Sequence, residues 1–213
     1  MNKAWHALRG VLAFVRSRAT PQLGKPPRVR QKDRVSAAFL IAPARPGDAP
    51  AIAEIYGWHV RNGVATFETE APDTAEIEAR MARVAAQGMP WITASDPAGT
   101  LLGYAYAAPF HPRAAYRFTC ENSVYLRHDR RGEGLGSALL AALLAACEAI
   151  GLRQMIALIS APETASIALH RKFGFAEAGH LRSVGFKHGQ WIDTVQMQRA
   201  LGQGDSTFPE DAQ

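Results

Sequence analysis

Residues 124–137 read Val124-Tyr125-Leu126-Arg127-His128-Asp129-Arg130-Arg131-Gly132-Glu133-Gly134-Leu135-Gly136-Ser137. A strand pattern ends at Leu126, a basic glycine-rich loop follows, and an apolar helix pattern begins at Gly134. Glycines let backbone N–H groups approach a ligand closely, and a helix N-terminus offers unpaired N–H donors to anions. The segment is therefore either a pyrophosphate cradle or a glycine-rich turn before a core helix, and the glycine spacing alone does not decide between them.

The glycine spacing excludes two common nucleotide-binding loops. No Gly-Lys-Ser/Thr follows, so the segment is not a Walker loop. The spacing Gly132-x-Gly134-x-Gly136 differs from the three-glycine dinucleotide fingerprint, and no acid stands at the end of the next strand pattern.

Strand and helix patterns alternate on both sides of this loop. Strands are predicted at 38–42, 91–95, 101–108, 119–126, 155–160, 176–187 and 191–199, with a short extended segment at Thr66–Thr69. Helices are predicted from Asp48 to Val60, from Asp73 to about Gly88, at 134–150 and at 165–173. Asp48 and Asp73 are the expected N-caps, and Glu76 completes capping-box spacing with Asp73. Hairpins followed by a strand–loop–helix–strand–helix unit predict a single-domain α/β fold with a mixed sheet.

The ends of the chain differ in composition from its middle. The chain carries a formal net charge of +5, but residues 1–34 alone account for +8, which leaves the rest at −3. We predict a basic N-terminal extension at 1–37, disordered or loosely attached, a domain at 38–201 and a polar tail at 202–213. A mildly acidic domain is not expected to bind nucleic acid, and no apolar run is long enough to span a bilayer.

Cysteine and histidine usage predicts neither a disulfide framework nor a metal site. The two cysteines, Cys120 and Cys147, form no CxxC motif, and the seven histidines show no HExxH-type spacing. This pattern fits a reducing, cytoplasmic compartment.

Two motifs together resemble the GNAT superfamily of N-acetyltransferases. Residues 131–136 (Arg-Gly-Glu-Gly-Leu-Gly) match its Arg/Gln-x-x-Gly-x-Gly/Ala signature, and residues 165–175 match its second block, in which a helix ends at a Gly-Phe corner. The chain further looks like the phosphinothricin / methionine sulfoximine acetyltransferase branch. The segments that carry this likeness are 64–70, 113–116, 120–125 and 184–193.

The resemblance implies a GNAT fold, with a mostly antiparallel central sheet flanked by helices, and acetyl-CoA as cosubstrate. It places the cofactor on the strand end and the phosphate loop, where backbone groups of Leu126 and Arg127 would meet the pantetheine arm because the strands splay there. The expected cofactor-binding residues are Val124, Tyr125, Leu126, Arg130, Arg131, Gly132, Glu133, Gly134, Leu135, Gly136 and Ser137.

Glu121 and His170 are the candidate catalytic residues. A carboxylate partly desolvated beside the thioester could take the ammonium proton, and the resembled branch has its base at the position of Glu121. That branch also has histidine where wider relatives have a tyrosine acid, which points to His170. An exposed strand carboxylate and a merely hydrogen-bonded histidine are the alternatives. Cys120 should face the opposite side of the sheet, so direct transfer in a ternary complex is expected.

The resemblance also implies a substrate pocket and a homodimer. Phe67, Arg113, Tyr116 and Tyr125 are the expected substrate-binding residues, with Arg113 suited to an acidic substrate group. The C-terminal hairpin around Lys187, His188 and Trp191 should shape the active site and the dimer contact.

Two positions depart from the family pattern. Glu163 replaces an asparagine that touches the cofactor arm, and an ionised carboxylate cannot donate that hydrogen bond. His111 replaces a basic residue of an aromatic-basic pair, which would shift substrate choice.

We expect an enzyme that acetylates the amino group of a small amino-acid-like molecule. A non-catalytic acyl-CoA-binding regulatory module and a peptide or protein N-terminal acetyltransferase are the alternatives.

Overall fold

A seven-stranded sheet forms the centre of the molecule in the computed structural model, which describes residues 39–209. The strands are β1 (Leu40–Pro43), β2 (Trp91–Ser95), β3 (Leu101–Pro109), β4 (Thr119–Leu126), β5 (Gln154–Ser160), β6 (Ala176–Lys187) and β7 (Gln190–Ala200). Their order is β1-β2-β3-β4-β5-β7-β6, and only β4 and β5 pair in parallel. The predicted mixed, mostly antiparallel α/β fold is confirmed.

In the part of the chain that the structure describes, four helices cover the two faces of this sheet: α1 (Ala49–Asn62), α2 (Thr74–Ala86), α3 (Leu135–Ala149) and α4 (Thr164–Lys172). The apolar face of α3 packs against one side of the sheet, where Leu139, Leu140 and Leu143 are fully buried. On the other side α1 and α2 bury Ile52, Ile77 and their neighbours against the sheet. The apolar faces of α1, α2 and α3 therefore pack into hydrophobic cores on the two sides of the sheet, as expected for amphipathic helices.

The two predicted helix caps have different outcomes. The Asp73 carboxylate accepts a hydrogen bond of 2.8 Å from the Glu76 N–H, so the predicted cap of α2 is confirmed. Asp48 precedes α1, but its carboxylate accepts from the Arg45 N–H at 2.7 Å, so its predicted side-chain cap of that helix is wrong. The reason is local, because Pro46–Asp48 forms its own short 3₁₀ turn and the carboxylate closes that turn.

The predicted extended segment at Thr66–Thr69 belongs to no strand. Its backbone is held by side chains from elsewhere rather than by a ladder: Lys187 Nζ donates to the Thr66 carbonyl at 2.8 Å. Residues 63–70, in the segment between α1 and α2, therefore form an irregular loop, and β propensity did not decide its conformation.

Pairing between β4 and β5 is short, and this creates the opening for a ligand. The ladder covers Thr119–Glu121 against Gln154–Ile156 and then stops, although both strands continue to Leu126 and Ser160. The two strands consequently diverge in the middle of the sheet, which confirms the splay that the family resemblance implied.

The predicted N-terminal extension, residues 1–37, lies outside the described residues. At the other end, Arg153 donates to the Gly204 carbonyl and the Thr207 hydroxyl, so the start of the tail is attached to the domain. Among residues 39–209, no helix has the length and apolarity needed to cross a bilayer.

Candidate active site

A cleft of about 230 Å³ opens where β4 and β5 separate. Its walls are formed by the ends of both strands, the glycine-rich loop and one face of α4. Its lining includes six of the predicted cofactor residues and one predicted catalytic residue: Val124, Tyr125, Leu126, Arg131, Gly132, Gly136 and His170.

The backbone of β4 faces this cleft with groups that the sheet does not use. Backbone polar groups alternate between the two edges of a strand. The Arg127 N–H donates to the Leu102 carbonyl of β3, so the backbone groups of Val124 and the N–H of Leu126 point to the opposite edge, into the opening. An extended chain that carries amides, such as a pantetheine arm, fits this edge as a short added strand. The Arg127 amide, which the resemblance offered to the same arm, is engaged in the sheet instead.

The glycine-rich loop closes one end of the cleft. Gly132 and Gly134 have φ of 80° and 84°, left-handed conformations that favour glycine, and Gly134 is the N-cap of α3. The first amides of α3 have no partner within the helix and carry the positive end of its dipole. A Cβ at Gly136 would lie 3.3 Å from Leu169 Cδ2, so this residue admits close packing of α4 against the first turn of α3.

The three arginines of the loop differ in their partners. Arg127 pairs with Asp129 at 2.9 Å, and Arg130 pairs with Glu133 at 3.0 Å. Arg131 lines the cleft. The remaining predicted cofactor residues lie outside the cleft wall: Leu135 is buried in the core, Gly134 caps α3, and Ser137 Oγ accepts from Lys172 Nζ at 3.3 Å. Of the three loop arginines, Arg131 is therefore the one that lines the cleft.

The end of α1 braces the loop from a second direction. His59 Nε2 donates to the Leu126 carbonyl at 2.8 Å, and the Trp58 ring stacks on His128 at 4.5 Å with an interplanar angle of 6°. Burial lowers the pKa of His59, and the Leu126 carbonyl opposes that shift. His59 and Leu126 are 67 residues apart in the chain, and no local sequence pattern indicated this contact.

Glu121 faces the α1 side of the sheet, opposite to Cys120. Cys120 is fully buried in the α3 core, which confirms the predicted alternation. Burial raises the pKa of the Glu121 carboxyl above its ordinary value. A carboxylate with a raised pKa is a stronger base, although Glu121 itself lies beside the cleft rather than in its wall.

His170 is held on both ring nitrogens by oxygen atoms. Nδ1 lies 2.8 Å from the Ser166 carbonyl and Nε2 lies 2.9 Å from Asn122 Oδ1, while Asn122 Nδ2 donates to the Ile156 carbonyl at 3.2 Å. Because both neighbours are acceptors, only the imidazolium form donates both hydrogen bonds. Burial lowers the pKa of His170, whereas the Ser166 carbonyl raises it. The two acceptor oxygens thus stabilise the imidazolium form of His170, whereas burial destabilises it. A ring balanced in this way is suited to releasing a proton. Sequence reasoning missed Asn122.

The four predicted substrate-binding residues come from three segments of the chain: loop 63–70, the connection between β3 and β4, and β4 itself. Tyr125 lines the cleft. Phe67 lies in loop 63–70 against β6, and Arg113 is exposed before the short 3₁₀ turn Ala114–Tyr116. Tyr116 packs against Phe110 with ring centroids 5.7 Å apart.

The two departures from the family pattern are both accommodated locally. Glu163 occupies the N-cap of α4 and lines the cleft, with no side-chain capping bond. His111 Nδ1 accepts from the Arg113 N–H at 3.2 Å, so this ring shapes the segment that carries Arg113.

Within residues 39–209, no group of three or more His, Cys, Asp or Glu side chains is arranged to hold a metal ion. Cys120 and Cys147 are buried free thiols.

Comparison with known proteins places this architecture in a family. Residues 41–196 match the acetyltransferase (GNAT) domain. A phosphinothricin N-acetyltransferase from Alcaligenes faecalis is 51% identical over 174 residues, which cover 81% of this chain and 88% of the relative. An L-methionine sulfoximine/L-methionine sulfone acetyltransferase from Pseudomonas paraeruginosa is 42% identical over 161 residues, covering 76% and 94%. The crystal structure of a phosphinothricin acetyltransferase from Sinorhizobium meliloti in complex with acetyl-CoA superposes with a TM-score of 0.80 at 45% identity, covering 82% and 94%.

The chain belongs to the GNAT family of acetyl-CoA-dependent N-acetyltransferases. Within that family it is similar to enzymes named for phosphinothricin and for methionine sulfoximine. The resemblance read from the two sequence motifs is confirmed.

Proposed function

We propose that this protein transfers the acetyl group of acetyl-CoA directly to the amino group of phosphinothricin, methionine sulfoximine or a related small amino acid. The observation that carries the proposal is the divergence of β4 from β5, which leaves β4 backbone groups facing a cleft that ends at the glycine-rich loop. Relatives named for these substrates support the choice of amine.

The cosubstrate fits the cleft in two parts. The α3 N-terminus and Arg131 would hold the pyrophosphate, because amide donors, helix dipole and guanidinium act on the same anion. Val124 and Leu126 would pair with the pantetheine arm through backbone groups. Bound acetyl-CoA supplies the activated acyl group.

Glu121 and His170 divide the proton transfers in this proposal. Glu121 removes a proton from the substrate ammonium, directly or through water, and its raised pKa suits it to hold that proton. His170 donates a proton toward the leaving thiolate, and Asn122 orients its ring. The proposal includes no acyl-cysteine intermediate at Cys120, because that thiol is buried on the other face of β4.

A thiol-release assay tests this function. We expect the purified protein to release CoA thiol from acetyl-CoA in many turnovers when methionine sulfoximine or phosphinothricin is present, with Glu121→Gln and His170→Ala as controls. Calorimetric binding of acetyl-CoA without thiol release for any amine would favour the regulatory module. Acetylation of peptides alone would favour the peptide N-terminal acetyltransferase.

The proposal includes a cytoplasmic homodimer. Two buried free thiols fit a reducing compartment. Phe186 and Trp191, a cross-strand pair on β6 and β7, are 59% and 67% exposed and pack with ring centroids 5.2 Å apart. Exposed aromatic clusters of this kind favour association with a second surface.

A further inference from the structure

Loop 63–70 is bonded to β5 and to the β6–β7 hairpin at three of its residues, Gly63, Val64 and Thr66. Lys187 Nζ donates to the Thr66 carbonyl at 2.8 Å, and His188 Nε2 lies 3.3 Å from the Gly63 carbonyl. Ser160 at the end of β5 donates to the Val64 carbonyl. Between these anchors Ala65 lines the cleft, so the position of the loop determines one wall of the active site.

Phe67 reaches this position only because residue 185 of β6 is a glycine. A Cβ at Gly185 would lie 2.6 Å from Phe67 Cζ and 2.7 Å from Phe67 Cδ2, well inside contact distance. Gly185 is not among the residues with positive φ, so its backbone accepts alanine and the Phe67 ring is the obstacle. The ring, 38% exposed, therefore lies directly on bare backbone.

Lys187 fixes the same loop through a buried charge. It is 4% exposed, and burial lowers the pKa of its ammonium while Glu68 opposes that shift. Glu68 is itself held by Arg80 at 2.7 and 3.1 Å and by the Tyr56 hydroxyl at 2.8 Å. The loop is thus held between α1 and α2 on one side and β6 on the other, with Thr66 and Phe67 in the middle.

We propose that Gly185 and Lys187 are positioning residues that set the shape of the amine-substrate pocket, Gly185 by admitting the Phe67 ring and Lys187 by fixing the Thr66 carbonyl. This inference rests on the proposed function, because loop 63–70 contributes to the wall of the active-site cleft through Ala65. A side chain at position 185 lifts the ring off β6 and displaces the loop that carries Ala65. Both residues lie on β6 and contact loop 63–70, whereas the glycine-rich loop and α3 are the elements proposed to hold acetyl-CoA.

A double-mutant cycle between Gly185→Ala and Phe67→Ala tests the contact. In the wild-type background we expect Gly185→Ala to lower kcat/KM for methionine sulfoximine about tenfold, as an overpacked contact does. In the Phe67→Ala background the same change should alter kcat/KM by less than about twofold, because the opposing ring is gone. Additive losses in the two backgrounds, or no loss in the first, would overturn the proposal.

Gly179→Ala is the matched control on the same strand. The three atoms nearest to its Cβ would all belong to the flexible Gln196 side chain, with Oε1 at 3.2 Å, so kcat/KM should stay near that of the wild type. Lys187→Met should raise KM for the amine while the Kd of acetyl-CoA from calorimetry is unchanged. Equal losses in amine and acetyl-CoA binding would reveal a general structural role and contradict the assignment.

Failure of the proposed function has a separate signature. A wild-type protein that acetylates no amine contradicts the proposed function. The double-mutant cycle is then measured as changes in Tm in place of kcat/KM. Tm losses for Gly185→Ala that vanish in the Phe67→Ala background retain the contact, whereas additive Tm losses reject it.

Discussion

Glu121 and His170 lie on opposite faces of β4. Asn122 shares the face of Cys120 and contacts His170, whereas Glu121 alternates to the α1 side. The gap between β4 and β5 opens the sheet between these two faces. The proposed chemistry therefore has its base, Glu121, on the α1 side of the sheet and its acid, His170, on the α3 side.

Replacing the proposed base separates chemistry from binding. We expect Glu121→Gln to lower kcat about 100-fold or more with unchanged acetyl-CoA affinity, since general-base catalysis contributes at least that much. In the wild type, kcat/KM should fall as pH decreases through the raised pKa of Glu121, because the carboxyl is then protonated. Steady-state kinetics measured across pH check both points. If kcat/KM of Glu121→Gln still falls at low pH, the titrating group is not Glu121.

Glu121→Gln, which should lower activity, should increase the free energy of unfolding. The folded pKa of Glu121 exceeds its unfolded value, so ionising it costs stability as pH rises through the folded pKa. Glu121→Gln should therefore gain stability over the wild type above that pKa and match it below the unfolded pKa. Urea unfolding at the two pH values measures the difference, and a variant less stable at the higher pH would contradict it.

Asn122→Leu tests whether the amide supports a proton on His170. Removing an acceptor from Nε2 leaves burial less opposed, so the pKa of His170 should fall further. If His170 is the acid, kcat/KM is lost as pH rises through its pKa, and the basic limb should move to lower pH. NMR titration of the imidazole provides an independent readout, and an unchanged pKa would remove Asn122 from this role.

The glycine-rich loop joins β4 to α3, and its arginines differ in their partners. The loop contains three arginines, but Arg127 and Arg130 form ion pairs with acids of the same loop. Only the tertiary arrangement shows that Arg131 is the one in the cleft wall. The sequence, which contains Arg130 and Arg131 side by side, predicted equal roles for them.

Arg131→Ala and Arg130→Ala should therefore differ in acetyl-CoA binding. Loss of a charge-assisted hydrogen bond is expected to weaken binding about tenfold for Arg131→Ala, and Arg130→Ala should cost less because its guanidinium is already paired. Calorimetric titration at two salt concentrations checks this, and the Arg131 contribution should shrink with added salt. Equal losses would mean that the Arg130–Glu133 pair opens on binding.

At the scale of the whole molecule, the end of the sheet at β6 and β7 carries exposed apolar side chains beside the residues that hold loop 63–70. Leu181, Val184, Phe186 and Trp191 are each 44% exposed or more. Covering them with a second copy would also protect the strand end that positions Phe67.

Trp191→Ser together with Phe186→Ser should convert a dimer to a monomer in sedimentation experiments, because it removes two aromatic anchors from the contact. Phe208→Ser is the matched control, since Phe208 is 93% exposed in the C-terminal segment and away from this hairpin. A wild-type monomer at micromolar concentration would refute the homodimer.

The sequence by itself determined the order of strands and helices, the cap at Asp73 and the opposite faces of Cys120 and Glu121. These features depend on neighbours within a few residues, whose spacing encodes helix, strand and turn directly. The glycine-rich loop was also legible, because its chemistry lies in one continuous segment.

Only the tertiary structure decided where the β4–β5 ladder stops and which side chains meet there. His59 and Leu126 are 67 residues apart, and His170 and Asn122 are 48 apart. The Phe67 ring on Gly185 and the Lys187 bond to Thr66, 121 residues away, belong to the same class. Such contacts arise when separate segments pack into one core, and packing depends on the shape of the complete fold, which no local pattern contains.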